Sequence, residues 1–325
     1  MKAWICDTAS GVDDLRWVEQ PTPVPGDGEV LIEIQAASLN FPDLLIVQGK
    51  YQMKPPLPFV PGAECAGVVV AVGEGVKHLK VGRSVACLSM TGAFATHAVV
   101  KATVCVPLPP GFPPVDAAAF IMTYGTSHHA LIDRAALRTG ETVLVLGAAG
   151  GVGTAAIQIA KAAGARVIAA ASSDAKCALC LSLGADATID TSTQNLRDAL
   201  KSITGGQGPD VVYDPVGGDQ TEAAFRSIAW RGRHLVIGFA AGPIPALPLN
   251  LALLKGASIV GVFWADYARR EPQASAAMML ELMTWYGQGK VKPVIDSTLP
   301  MPQLKAAFAR MASRDVRGKL VLVNP

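Results

Sequence analysis

Apolar and polar residues alternate in short runs over the first 120 or so positions, and the period then changes. Lys2–Cys6, Leu15–Glu19, Glu29–Ala36, Gly67–Val72 and Ser84–Cys87 each carry the two-residue period of a half-buried strand. Turn chemistry separates them at Pro21–Gly28, Lys54–Pro58 and Pro107–Gly111. Many short strands broken by Gly and Pro predict an irregular barrel. Asp43–Gln48 fits one short helix inside it.

From Pro114 the spacing becomes helical. Val115–Leu137 is Ala-rich and reads as helix, interrupted near Tyr124-Gly125-Thr126. Strand and helix then alternate. The order is strand Val143–Leu146, helix Val152–Ala163, strand Arg166–Ala171, helix Asp174–Leu183 and strand Thr188–Ile189. Helix Gln194–Ile203, strand Val211–Asp214, helix Gln220–Ala229, strand His234–Gly238 and strand Ser258–Val262 follow. Such alternation predicts an α/β architecture with a doubly wound parallel sheet. The last stretch carries helices near Ala274–Tyr286 and Gln303–Arg310 and a strand at Gly318–Val323. Lacking the βα alternation, it is expected to rejoin the first domain. The expected division is therefore 1–119, 120–257 and a returning part, 258–325. No internal repeat or low-complexity segment interrupts the pattern.

One stretch in this pattern carries chemistry. Val143–Leu146 is an apolar strand, Gly147–Gly153 a glycine-rich turn, and Thr154 onward a run of helix formers. Strand, glycine turn and helix in that order make a dinucleotide-binding unit. The glycines let backbone approach a pyrophosphate closely, and the helix N-terminus turns its free N–H groups toward the anion. The tip of the next strand selects the cofactor. A carboxylate there binds the ribose 2′-hydroxyl of NADH, whereas small and basic residues accept the 2′-phosphate of NADPH. Arg166–Ala171 runs into Ser172, Ser173 and, one turn on, Lys176, with no acid at the tip. NADPH is the expected cofactor. Asp174 fits a helix N-terminal charge.

Composition narrows the setting. A hydrophobic fraction of 50% in 325 residues is enough for two sizeable cores. The net charge of +2 leaves no nucleic-acid or anionic-membrane footprint. No apolar run is long enough to span a bilayer, and the N-terminus reads as a first strand without a signal-peptide core. These missing signals lead to the expectation of a cytoplasmic enzyme. The six cysteines lie scattered among apolar residues and read as reduced core positions. Cys177-Ala-Leu-Cys180 is a CxxC without a second ligand pair, inside an expected helix.

Taken together, Ser38–Asp43, Pro61–Gly67, Gly147–Gly153, Ser173–Lys176 and Asp210–Gly217 resemble a known family over essentially the whole chain. It is the zinc-independent medium-chain dehydrogenase/reductases of the quinone oxidoreductase, zeta-crystallin-like group. The resemblance implies a GroES-like irregular β-barrel catalytic domain and a Rossmann cofactor domain. It implies that Asn40 lies beside the nicotinamide and that Thr126 contacts it from the other domain. Gly150, Gly151, Val152 and Gly153 would carry the pyrophosphate. Ser172, Ser173 and Lys176 would serve the 2′-phosphate, with Thr191 standing where a tyrosine often joins that site. Phe239 and Ala240 would line the cofactor site, Val262, Phe263 and Trp264 would pass the carboxamide, and Arg314 matches a basic position near the cofactor. A homodimer is the default of the group, with the strand near Ser258–Val262 as the candidate pairing edge.

Zinc relatives place a Cys where this chain has Asn40, and Gly-His-Glu where it has Gly62-Ala63-Glu64. The four-Cys structural lobe is also missing. No metal is expected, and Glu64 reads as a structural or pocket carboxylate. Without a metal to polarise an alcohol, the expected reaction is hydride transfer from NADPH to a quinone or another activated alkene. Tyr51 leaves a second enzyme reading open. Enoyl thioester reductases of the superfamily place a proton-donating tyrosine there, and such a phenol can protonate the α-carbon after hydride transfer. Tyr51 can equally pack against the Lys54–Pro58 loop. His128, after Thr126-Ser127, is a relay candidate or a core histidine. A reading of another class is a nucleotide-binding structural or regulatory protein without turnover. The expected partner is a small electrophilic acceptor, namely a quinone, enone or enoyl thioester.

Overall fold

The alternating N-terminal runs pair as strands. In the computed structural model, which describes residues 1–325, β1 (Lys2–Ile5) and β2 (Arg16–Glu19) form an antiparallel pair. Next come β3 (Glu29–Ser38), α1 (Phe41–Val47), β4 (Glu64–Val72), β5 (Ser84–Leu88), β6 (His97–Lys101), β7 (Cys105–Pro107) and α2 (Pro114–Ala118). The chain then builds α3 (Ile121–His128), β8 (Thr142–Val145), α4 (Gly151–Ala162), β9 (Arg166–Ala171), α5 (Asp174–Ser182) and β10 (Ala187–Asp190). After these come α6 (Leu196–Ile203), β11 (Val211–Asp214), α7 (Asp219–Ser227), β12 (Arg233–Val236), α8 (Asn250–Lys255) and β13 (Ser258–Gly261). Two helices, α9 (Trp264–Arg270) and α10 (Pro272–Gly287), precede β14 (Ile295–Pro300), α11 (Leu304–Ala312) and β15 (Lys319–Val323).

The chain divides into two units. The first joins Met1–Met122 to Ile295–Pro325, and the second is Thr123–Val294. In the first, a sheet of order β14-β15-β3-β4-β5-β7, with β6 also on β3, encloses a core around Val30, Ile32, Ile34, Val69, Val85, Phe94 and Phe308. Phe94 meets Phe308 edge to face at 6.1 Å. The last strand, β15, pairs antiparallel with β3, so the C-terminus closes a sheet that the N-terminal third began.

In the second unit six strands run parallel in the order β10-β9-β8-β11-β12-β13. The chain winds outward from β8 to β10, then returns to β11 on the other side, which places a topological switch between β8 and β11. The central strands are buried on both faces and are rich in Val, Ile, Leu and Ala, as helix-covered parallel strands must be.

Two expectations are corrected. The return to the first unit begins at Ile295, not at position 258. Strand β13 pairs in register with β12, Arg233 opposite Ser258, and so completes the parallel sheet. The long irregular connection before it, broken only by α8, hides the βαβ logic. Helices α9 and α10 stay in the same unit, where Tyr267 stacks on His129 at 4.1 Å and Glu281 meets His128 Nε2 at 3.1 Å. The helical stretch also breaks elsewhere than expected. The break falls at Ala119-Phe120, and Gly125 lies inside α3, where the Trp264 ring leaves no room for a Cβ. A π-helical turn, His129–Arg134, ends this stretch.

Gly67 is one of the tight points of the barrel. A Cβ there would overlap the Glu33 carbonyl oxygen of the neighbouring strand, and neither backbone can yield without breaking the β3–β4 ladder. Gly67→Ala is expected to destabilise the protein by at least about 3 kcal/mol in a denaturant titration. Gly287→Ala, where a Cβ meets nothing within 4 Å, is expected to leave the midpoint within about 0.5 kcal/mol of native.

Candidate functional site

In the second unit the expected cofactor residues gather at the C-terminal ends of the parallel strands. Gly147, in a left-handed conformation at φ 57°, follows β8 and turns the chain into α4. Gly150 is the N-cap of α4 and supplies no side chain, so the N–H groups of Gly151, Val152 and Gly153 face outward uncapped. At Gly153 a Cβ would overlap the Gly147 carbonyl oxygen and lie 2.7 Å from Ala148 Cα. The glycine lets the helix end pack on the turn, and the result is a cradle of donors shaped for an anion. Ser127 ties α3 to this turn, donating to the Val152 carbonyl at 3.0 Å and lying 2.8 Å from the Tyr213 hydroxyl.

The tip of β9 forms the second corner. Lys176 Nζ donates to Ser172 Oγ at 3.0 Å. Thr191, at the end of β10, donates its N–H and its hydroxyl to the Ala171 carbonyl at 2.8 and 3.1 Å. Ser172, Lys176 and Thr191 thus meet at one place. Ser173 lies beside them, and its hydroxyl caps α5 by accepting from Lys176 N at 3.4 Å.

Past β11, buried Asp214 shapes the facing loop. Its Oδ1 accepts from Val216 N and Gly217 N at 2.9 and 2.8 Å, and its Oδ2 from Thr221 Oγ at 2.6 Å and His234 Nε2 at 3.1 Å. Burial pushes this carboxyl up, but the hydrogen bonds from His234, Thr221 and Gly217 outweigh it and hold it below the usual range. Gly217, at φ 69°, lies under the Phe239 ring, and Ala240 N donates to Pro215 O at 3.1 Å. Val262 N donates to Val236 O at 3.1 Å. Phe263 is exposed, and Trp264 lies buried against Gly125 with its indole N–H unpartnered. The anion cradle, the Ser172–Lys176 corner and this apolar margin fit a dinucleotide. Cys177 and Cys180, by contrast, are buried in α5, and burial holds the Cys180 thiol up at about 12. They are core residues.

In the first unit Asn40 sits between β3 and α1, in a buried polar cluster. Its backbone N–H donates to Asp43 Oδ2 at 2.8 Å, the return half of a capping box. The Asp43 N–H in turn donates to the Asn40 carbonyl at 3.0 Å. Asn40 Nδ2 donates to Glu64 Oε2 at 3.1 Å and to the Ser38 carbonyl at 3.4 Å, while Oδ1 accepts from Lys319 Nζ. Lys319 also donates to the Leu39 carbonyl. Glu64 is saturated, with Oε1 on Met122 N at 2.8 Å and Ser38 Oγ on Oε2 at 3.0 Å. Burial raises the Glu64 carboxyl against the pull of Lys319. Burial likewise pushes Asp43 up to about 7 against the Asn40 N–H and Lys319, and lowers the Lys319 ammonium against Glu64 and Asp43. Tyr51 is half buried, and burial, then the Asp43 charge, raises its phenol. Arg314 lies on an exposed left-handed turn of this unit at φ 61°.

Lys319, Asp43 and Ser38 escape the sequence reading. The signal is there for Lys319, a charged residue opening the otherwise apolar run Lys319-Leu-Val-Leu-Val323. A catalytic zinc needs thiolate or imidazole donors with free lone pairs. Asn40 and Ala63 offer neither, both Glu64 oxygens are occupied, and no three His, Cys, Asp or Glu side chains are arranged to hold a metal. These residues do not fit that ion. No helix is long and apolar enough to cross a membrane.

Comparison with known proteins agrees with this architecture. The model of the alcohol dehydrogenase GroES-like domain matches residues 26–110, and that of the zinc-binding dehydrogenases matches residues 151–284. Quinone oxidoreductase-like protein 2 of Mus musculus is 38% identical over 303 residues, 93% of this chain and 86% of that protein. A mycobacterial structure complexed with NADPH superposes with a TM-score of 0.93 at 30% identity, covering 100% of both chains. The quinone oxidoreductase of Thermus thermophilus, also solved with NADPH, gives a TM-score of 0.83 at 33% identity, again over 100% of both. With its GroES-like barrel, its parallel nucleotide-binding sheet and these relatives, the chain belongs to the quinone oxidoreductase-like branch of the medium-chain dehydrogenase/reductase family.

Proposed function

We propose that this protein is an NADPH-dependent reductase of quinones or other activated alkenes that works without zinc. The observation that carries the cofactor choice is the bonded Ser172–Lys176 pair at the tip of β9. A hydroxyl and an ammonium held together there suit a phosphate dianion, and the nearby Asp190 carboxylate is engaged by Ser192. The α4 N-terminus receives the pyrophosphate. Bound NADPH supplies the hydride. The family relationship and the NADPH complexes of its relatives support the same reading.

The buried cluster around Asn40 supports a metal-free reduction. Its donor set does not polarise an alcohol, so the acceptor must be electrophilic before it binds, as a conjugated quinone or enone is. Tyr51 leaves an enoyl thioester as the second candidate acceptor, because a phenol at this position carries an O–H that can protonate the α-carbon. Burial and the Asp43 charge raise that phenol and so make it a weaker acid.

The functional particle is proposed to be a homodimer. Strand β13 is the outer strand of its sheet, with Ile259 exposed, and α8 beside it exposes Leu253 at 80% and Leu254 at 68%. An open strand edge flanked by large apolar side chains invites a second copy, related by a twofold axis that pairs the two edges antiparallel.

The central test follows NADPH absorbance with metal-stripped protein and a panel of quinones, enones and enoyl thioesters. Turnover with a quinone or enone is expected. NADPH binding with no acceptor-dependent oxidation would leave a binding protein instead. Tyr51→Phe is expected to abolish thioester reduction and spare two-electron quinone reduction, and equal loss of both would remove the proton-donor role. Ser172→Asp with Lys176→Met is expected to raise the Kd for NADPH about 100-fold or more while NADH binding holds or improves, read by titration of nucleotide fluorescence. Sedimentation of the native chain is expected to show a dimer, and Ile259→Lys with Leu253→Asp a monomer.

A further inference from the structure

Lys319 opens the last strand, yet it is only 5% exposed and faces the loop that carries Asn40. The hydrogen bonds around Asn40 leave one arrangement. An ammonium only donates and a carboxylate only accepts. Lys319 therefore requires the amide oxygen on its side, and Glu64 requires the amide nitrogen on the other. Reversing the amide would set N–H against ammonium and carbonyl against carboxylate. In the fixed orientation both Nδ2 hydrogens are spent, one on Glu64 and one on the Ser38 carbonyl. Any further bond that Asn40 makes must be accepted at Oδ1.

We infer that Lys319 is a positioning residue for the reduction: it fixes the Asn40 amide so that Asn40 presents an acceptor to the bound cofactor or substrate and withholds its N–H donors. Asn40 then orients a ligand through a hydroxyl or N–H of that ligand and does not donate to a developing oxyanion. This rests on the reading that Asn40 serves the reduction. The contact with Lys319 itself does not.

The charges facing Lys319 are Glu64 from β4 and Asp43 from α1, and Tyr51 in turn faces Asp43. Removing the ammonium leaves two carboxylates in one buried cluster. Asp43, which Lys319 pulls down, then ionises at higher pH.

The test pairs kinetics with a signal that needs no turnover. In the native protein, the side-chain amide protons of Asn40, assigned by their loss in Asn40→Ser, are expected to exchange slowly in 15N NMR. Their shifts are expected to move with the ionisation of Asp43 near pH 7. Lys319→Met is expected to speed that exchange and move the titration to higher pH. With the best acceptor, kcat is expected to fall about 10- to 100-fold with the acceptor KM nearly unchanged, as for a misplaced contact. Lys319→Arg is expected to restore part of kcat and the native titration. Native exchange at the rate of a free amide would overturn the inference without any variant. So would a folded Lys319→Met protein with native kcat and an unmoved titration. If no acceptor oxidises NADPH, the proposed function falls, and the Asn40 signal still decides whether Lys319 sets the amide.

Discussion

An ammonium buried among carboxylates is the constraint on which the first unit turns. Lys319 comes from the last strand, Glu64 from β4, and Asp43 and Asn40 from the start of α1. Four segments, from Ser38 to Lys319, must meet before any of these groups finds its partner. The return of the chain at Ile295 has an electrostatic reason as well as an apolar one. Without β15 the two carboxylates would share a dry site with no cation. Replacing such clusters by apolar packing is often neutral or stabilising, whereas removing one member costs about 3–5 kcal/mol. Stability alone therefore does not account for Lys319, Glu64 and Asp43 together. Holding one amide in one orientation does.

The second unit works by the opposite means. Its nucleotide end is made by leaving side chains out. Gly150 caps α4 without a side chain, Gly153 lets the helix end sit on the Gly147 turn, and Gly217 lets Phe239 lie across the loop. Each glycine brings backbone close, and at the α4 N-terminus the N–H groups left uncapped are the ones proposed to bind the pyrophosphate. Charge enters only at the margin, at Lys176, where the 2′-phosphate is proposed to sit. Buried Asp214 fixes the Val216 and Gly217 N–H groups inward.

What is legible in the sequence follows from this difference. Glycine turns and strand tips are local, so Gly147–Gly153, Ser172 and Lys176 stand out by spacing alone, and the strands Arg166–Ala171 and Val211–Asp214 coincide with their observed bounds. The cluster around Asn40 is non-local. Lys319 lies 279 positions from Asn40, and no period or motif links them. That Ser173 caps α5 is not marked in the sequence either, because a serine at a strand tip looks the same whether it caps a helix or faces an anion. The strand Ser258–Val262 is legible as the last of the alternating series, but the domain boundary is not. The helix before it, α8, spans only six residues at the end of a long loop, and two helices follow it without a strand, so nothing local marks Ile295 as the return.

The same contrast bears on chemistry. Fold and cofactor are shared across a family whose members reduce or oxidise different compounds, so the fold alone does not select an acceptor. What selects it is the set of groups that can stabilise charge as hydride moves. A thiolate and imidazole pair would invite a metal and, with it, alcohols and simple carbonyls. An amide locked between an ammonium and a carboxylate offers orientation, and little polarising power of its own. On the proposed reading, electron demand then resides in the acceptor, and a conjugated system, in which hydride addition leaves a delocalised anion, meets that demand.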